Sequence, residues 1–131
     1  MFMKKVFVAA PFTENLENDF LLSVERILKE LNHEPIIPHK FVVDDGDGVK
    51  ASVARDFDLL DKSDILLAEV SKPSHGVGME IMYAHQKGKK IIFVKRKGTR
   101  VSNMALMHAH DVIEYEDQQD LEKKLLKIRI E

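Results

Sequence analysis

Hydrophobic residues fall along this chain in short blocks of two alternating kinds. Lys4 to Ala10 is a compact apolar run that Pro11 ends, because proline donates nothing to a strand ladder. Between Asn18 and Leu31, the residues Phe20, Val24, Ile27, Leu28 and Leu31 recur at the spacing of one helical face. Ile36 and Ile37, enclosed by Pro35 and Pro38, predict a brief second strand; Phe41 to Lys50 reads as a loop rich in Asp and Gly, acidic enough to move, and Ala51 to Asp61 is helical again. A third apolar run, Ile65 to Ala68, leads through Glu69 and Val70 into the turn-forming segment Ser71 to Gly78. That segment opens an amphipathic helix with Glu80 in its first turn. Lys90 to Val94, bounded by Gly88 and Gly98, is a fourth strand; Ser102 to His108 is a short helix capped by Ser102; Val112 to Tyr115 and Asp117 to Ile128 close the pattern as strand and helix.

Strands and helices that alternate in this way demand right-handed crossovers and a parallel sheet. The expected fold is therefore α/β, a single doubly wound parallel five-stranded sheet, flavodoxin-like or Rossmann-like, with helices on both faces. Its 131 residues suit one domain over 1–131 with one sizeable core. In open parallel sheets ligands bind where the strands' carboxyl ends meet the following loops. Chemistry is expected just after Ala68.

Composition narrows the picture. With 20 Lys and Arg against 22 Asp and Glu, the chain has no electrostatic footprint for nucleic acid or an anionic membrane. It carries no signal-like leader and no run approaching a membrane span, so a soluble cytoplasmic protein is expected. The absence of Cys removes disulfides, thiolate nucleophiles and Cys-based zinc sites together.

Two carboxylates stand out. In the second helix the stripe i, i+3, i+4, i+7 is Val53, Asp56, Phe57, Leu60, so an aspartate fills a slot that an amphipathic helix normally gives to an apolar residue. Asp58 and Asp61 fall off that stripe and read as solvated. Either Asp56 is kept there for chemistry, since a buried carboxylate is costly unless paired, or it lies at the stripe's edge. Glu80 follows the segment Pro73 to Gly78, which supplies backbone amides and small residues at a helix start and suits an anion or a sugar phosphate. The helix dipole at that position favours an ionised Glu80, although glutamate is also ordinary there. His39, after the second strand, is on the sheet edge where a substrate would sit, or is simply a solvated loop residue.

Other signatures fail. Gly76-x-Gly78 has Ile81 where a third glycine belongs and does not follow the first strand, so no dinucleotide cofactor is expected. His108, His110 and Asp111 are crowded at one helix-to-strand junction and poorly placed to converge on a metal. No cofactor is expected at all.

Asp56-x-x-x-Leu60-x-x-x-Asp64, followed by Ala68-Glu69-Val70-Ser71-x-Pro73-Ser74-x-Gly76-Val77-Gly78-x-Glu80, resembles the nucleoside 2-deoxyribosyltransferase superfamily, and within it the 2'-deoxynucleoside 5'-phosphate N-hydrolases. The resemblance implies cleavage of an N-glycosidic bond, with Glu80 attacking the anomeric carbon and Asp56 assisting departure of the base. It implies phosphate contacts from the loop after the first strand, here Ala10, Pro11 and Phe12, from Ser74, and from Ser102 of a homodimer partner together with Asn103 and Met104. Those hydrolases carry a Ser and an Arg in the first loop, where this chain reads Ala10-Pro11-Phe12-Thr13. A bidentate phosphate contact is lost there, which leaves nucleotide first and nucleoside second as substrate. Phe7 stands where the deoxyribosyl enzymes usually have Tyr; either it makes room for a ribose 2'-hydroxyl or it is a core residue of a buried strand.

Overall fold

In a computed structural model of the chain, residues 3–11, 17–38 and 48–128 are described. Five strands and five helices alternate: β1 Lys5–Ala9, α1 Glu17–Glu30, β2 Glu34–Ile36, α2 Gly48–Asp61, β3 Ile65–Glu69, α3 His75–Gln86, β4 Lys90–Arg96, α4 Asn103–Leu106, β5 Asp111–Tyr115 and α5 Gln118–Leu126. All strand pairings are parallel, and the sheet order is β2-β1-β3-β4-β5. That is the flavodoxin-like arrangement the alternation predicted, with its switch point between β1 and β3.

The central strands β1, β3 and β4 are apolar on both sides because each face carries its own core. Val6, Val8, Ile65, Leu67, Ile92 and Val94 meet Phe20, Val24, Ile27 and Leu28 of α1 and Leu121 and Leu125 of α5. The intervening residues Phe7, Ala9, Leu66, Ala68, Ile91 and Phe93 meet Leu60 of α2, Val77, Ile81 and Ala84 of α3, and Val101. Register Ala9 to Ala68 and Glu69 to Val94 brings the carboxyl ends of β1, β3 and β4 to one edge.

Several boundaries move in ways that matter. β2 begins at Glu34, and α2 begins at Gly48, so the last three residues of the expected acidic loop are helical. β3 runs one residue further than the apolar pattern, through Glu69, which is fully buried. α3 begins at His75, which puts Glu80 in the second turn rather than the first. Ser102 does precede α4, but its hydroxyl makes no capping bond. Among the described residues, no helix is long and apolar enough to cross a membrane.

Candidate active site

Helix α3 starts cleanly because Ser74 has extended backbone and accepts a bond of 3.4 Å from the Val77 amide. From that start, residues 77, 81 and 84 turn into the core, leaving one flank of the helix toward α2 and the other toward α4. On the α2 flank, the Tyr83 ring lies 5.1 Å from Phe57 and its hydroxyl donates to Asp61 at 3.2 Å. Asp56 precedes Phe57, and Glu80 lies one turn before Tyr83. This packing brings the two carboxylates of interest into electrostatic contact.

The contact is legible in Glu80's acidity. Burial, and after it the negative charge of Asp56, push its pKa up to about 7. The sequence argument that the helix dipole would favour the ionised form is therefore wrong: in the second turn the dipole is weak, and desolvation plus a like charge outweigh it. Among the described residues Glu80 accepts no hydrogen bond that would offset its burial. Asp58 and Asp61 are exposed, as their positions off the stripe predicted, and pair with Lys62 and with Tyr83 and Lys87. Val53, at the top of that stripe, is exposed, while Asp56 is half-buried.

Phe7 is fully buried in the core that also holds Ala68, Val77 and Ile81. Its ring is a core residue on the same sheet face as the carboxylates. Ala10 and Pro11 are buried at the carboxyl end of β1, with Ala10 in the opposite core. Phe12 and His39 lie outside the described residues. Gly76 and Gly78 are exposed on the first turn of α3, and a Cβ at either would meet open space. Of the amides of that turn, those of Val77 and Gly78 donate to Ser74, and those of His75 and Gly76 donate to no described residue.

The other flank of α3 forms a groove of about 340 Å³ with α4. Ser74 and Gly78 line it on one side and Ser102 and Met104 on the other, while Asn103 is exposed beside them. Ser74 and Ser102 of one chain thus share a cavity. Glu80 and Asp56 do not line it. Lys72 and Arg100, which do, were not singled out by sequence reasoning, because isolated basic residues in loops carry no periodic signal.

Glu69 was passed over too. It accepts from the Tyr115 hydroxyl and, at 2.5 Å, from the Ser71 amide. Burial first, then Glu69, raise the Tyr115 pKa well above the ordinary tyrosine value, so that hydroxyl stays a donor. Ser71 in turn accepts from the Arg96 amide at 2.8 Å. This buried network fixes the start of the loop that delivers Ser74. Its signal was the two-residue phase Ile65, Leu67, Glu69, which aims Glu69 at the α1/α5 core.

The histidines disperse. His110 Nδ1 accepts from the Ile91 amide at 3.0 Å, Asp111 pairs with Lys90 at 3.7 Å, and the His108 ring lies 4.3 Å from His85.

Comparison with known proteins fits this frame. No family model matches the chain. A protein of Thermofilum pendens named as a candidate 2'-deoxynucleoside 5'-phosphate N-hydrolase 1 is 37% identical over 95 residues, 67% of this chain and 65% of that protein. The match thus spans less than two thirds of that relative's own length. Among solved structures, a 2-deoxyribosyltransferase of Bacillus psychrosaccharolyticus superposes with TM-score 0.76 at 18% identity, covering 92% of this chain and 95% of that one. A CMP N-glycosidase of Clostridium botulinum gives TM-score 0.69 at 22% identity, covering 93% and 98%. Sheet order and superposition define a flavodoxin-like parallel α/β domain. Within that class the chain is similar in sequence to proteins named for 2'-deoxynucleoside 5'-phosphate N-hydrolase and in fold to a 2-deoxyribosyltransferase.

Proposed function

We infer that this chain is an N-glycosidase that releases the free base from nucleoside 5'-monophosphates, leaving ribose or deoxyribose 5-phosphate. The observation that carries the reading is the coupled pair across α2 and α3, where the charge of Asp56 helps to raise Glu80 to about 7. Two carboxylates that cannot both ionise easily hold one proton between them near neutral pH. Breaking an N-glycosidic bond needs one carboxylate charged and one protonated, and no cofactor.

The steps balance as follows. Positive charge developing at the anomeric carbon favours the ionised form of Glu80, which leaves the shared proton on Asp56. The Glu80 oxygen forms a bond to the anomeric carbon while the bond to the base breaks, its electron pair going to the base nitrogen, which takes the proton from Asp56. Water then displaces Glu80 from the sugar, and Asp56 accepts the water's proton. The amides of the first turn of α3 and the Ser74 hydroxyl hold the substrate's phosphate.

Both sugars fit this reading. The Thermofilum pendens relative is named for a deoxynucleotide and the Clostridium botulinum enzyme for CMP, and Phe7 presents no hydroxyl to a sugar's 2' side. A homodimer over residues 1–131 belongs to it as well, with the segment Ser102 to Met104 reaching a neighbour's site. Exposed Met79, Met82, Met104 and Met107 on α3 and at α4 support that assembly, since soluble proteins seldom leave such side chains together without a partner.

Incubation with a panel of nucleotides and nucleosides, with and without a second free base, followed by chromatography of the products, tests the activity. Net release of base from monophosphates is the expected result. Base exchange without net hydrolysis would make the chain a deoxyribosyltransferase instead, and tight binding without any release would make it a nucleotide-binding module.

A further inference from the structure

The loop after β1 lacks an arginine, so the doubly negative phosphate needs its positive charge from elsewhere. The groove between α3 and α4 supplies two. Lys72 and Arg100 line it together with Ser74, no Asp or Glu does, and neither cation has a hydrogen bond or ion pair with any described residue. The basic residues at the end of β4 are occupied: Lys95 pairs with Glu114 at 3.2 Å and Lys97 with Glu116 at 2.7 Å. Two cations that line one acid-free groove and serve no partner among the described residues are available to an anionic ligand.

The place also fits. Ser74 caps α3 through a long bond of 3.4 Å as acceptor, which leaves its own proton to donate. The exposed first turn of α3, open at Gly76 and Gly78, lies between this groove and the flank that carries Glu80. We propose that Arg100 and Lys72 are the phosphate-binding cations of this chain, holding the 5'-phosphate at the α3 side of the groove and making a monophosphate, rather than a nucleoside, the substrate. This rests on the N-glycosidase reading for the identity of the ligand, and on the groove alone for the site. Arg100 suits a planar, bidentate contact and Lys72 a point charge.

Calorimetric titration separates the two ideas. In the Glu80→Gln protein, which keeps the ligand intact, a nucleoside monophosphate should bind at least about tenfold more tightly than its nucleoside. Adding Lys72→Ala and Arg100→Ala together should erase most of that difference, leave nucleoside affinity unchanged, and flatten the dependence of affinity on salt. Both side chains are exposed, so the fold should survive, and circular dichroism checks that it does. Arg100→Lys should restore only part of the affinity, because the fork geometry is lost. Unchanged monophosphate binding in the double variant overturns the proposal, as does equal binding of nucleoside and monophosphate by the parent. Base release from nucleosides alone would also overturn it while sparing the N-glycosidase reading. Binding through these cations with no base released from any compound would uphold it and sink that reading.

Discussion

Glu69 and Glu80 leave the same strand-loop-helix unit, and both are taken out of water, yet they meet opposite surroundings. Glu69 is directed to the α1/α5 core and receives two donors, the Tyr115 hydroxyl and the Ser71 amide. Glu80 turns toward α2, where it meets burial, the charge of Asp56 and no donor among the described residues. Burial with donors makes a carboxylate a structural tie; burial without them, beside a like charge, makes it a proton store. Only the second is useful to a reaction.

The sharpest way to break this contrast is to neutralise each group. Glu80→Gln should lower the rate of base release by at least about a hundredfold while leaving ligand affinity largely intact, because a neutral isostere makes no bond to the anomeric carbon. Steady-state rates beside binding titrations check it. If Glu80 only shapes the pocket, affinity will fall with the rate.

The same change should stabilise the fold. Glu80 goes from 4.5 in the unfolded chain to about 7 in the folded one, so between those values the folded state binds more protons. Its contribution is therefore favourable below the unfolded value and lost as pH rises toward 7, by up to about 3 kcal/mol. Thermal melts at pH 8 should show Glu80→Gln above the parent, with the gap closing near pH 5. Glu69→Ala should act in the other direction, costing about 2 kcal/mol at any of these pH values, since it leaves the Tyr115 hydroxyl buried without its acceptor. Equal effects from the two substitutions would erase the distinction between tie and store.

Coupling can be tested on its own. Removing the charge at Asp56 with Asn should move the Glu80 midpoint below about 7, because the second of its two causes is gone while burial remains. Carboxylate resonances followed through a pH titration report this directly, and an unmoved midpoint would mean that Asp56 is too remote to share a proton. The smallest expected effect is at Gly76. An added methyl meets open space there, so Gly76→Ala should leave the fold as stable or firmer by up to about 1 kcal/mol, while weakening monophosphate binding if a phosphate approaches those amides.

Much of this molecule was legible in its residues. The switching of hydrophobic period between two and 3.6 set out every element with shifts of a few residues at the ends, since both periods are local properties of a chain segment. The breach of the α2 stripe at Asp56 and the glycine-flanked approach to Glu80 were visible for the same reason, and the fold brings these two residues into electrostatic contact. What failed was anything that depended on the far side of a contact. Glu69 looked like a residue entering a turn because its partner Tyr115 comes from β5, and Glu80 looked ionised because the sequence places it near a helix start without saying how deeply it is buried.

The sequence by itself thus determined the order of strands and helices, the two-sided apolar strands and the positions at which carboxylates break the pattern. Tertiary structure decided which carboxylate received donors, which received a like charge, and which two loop cations came to line one groove with Ser74. Acidity and ligand charge balance depend on distances between segments that share no local periodicity, and only packing on the sheet sets those distances.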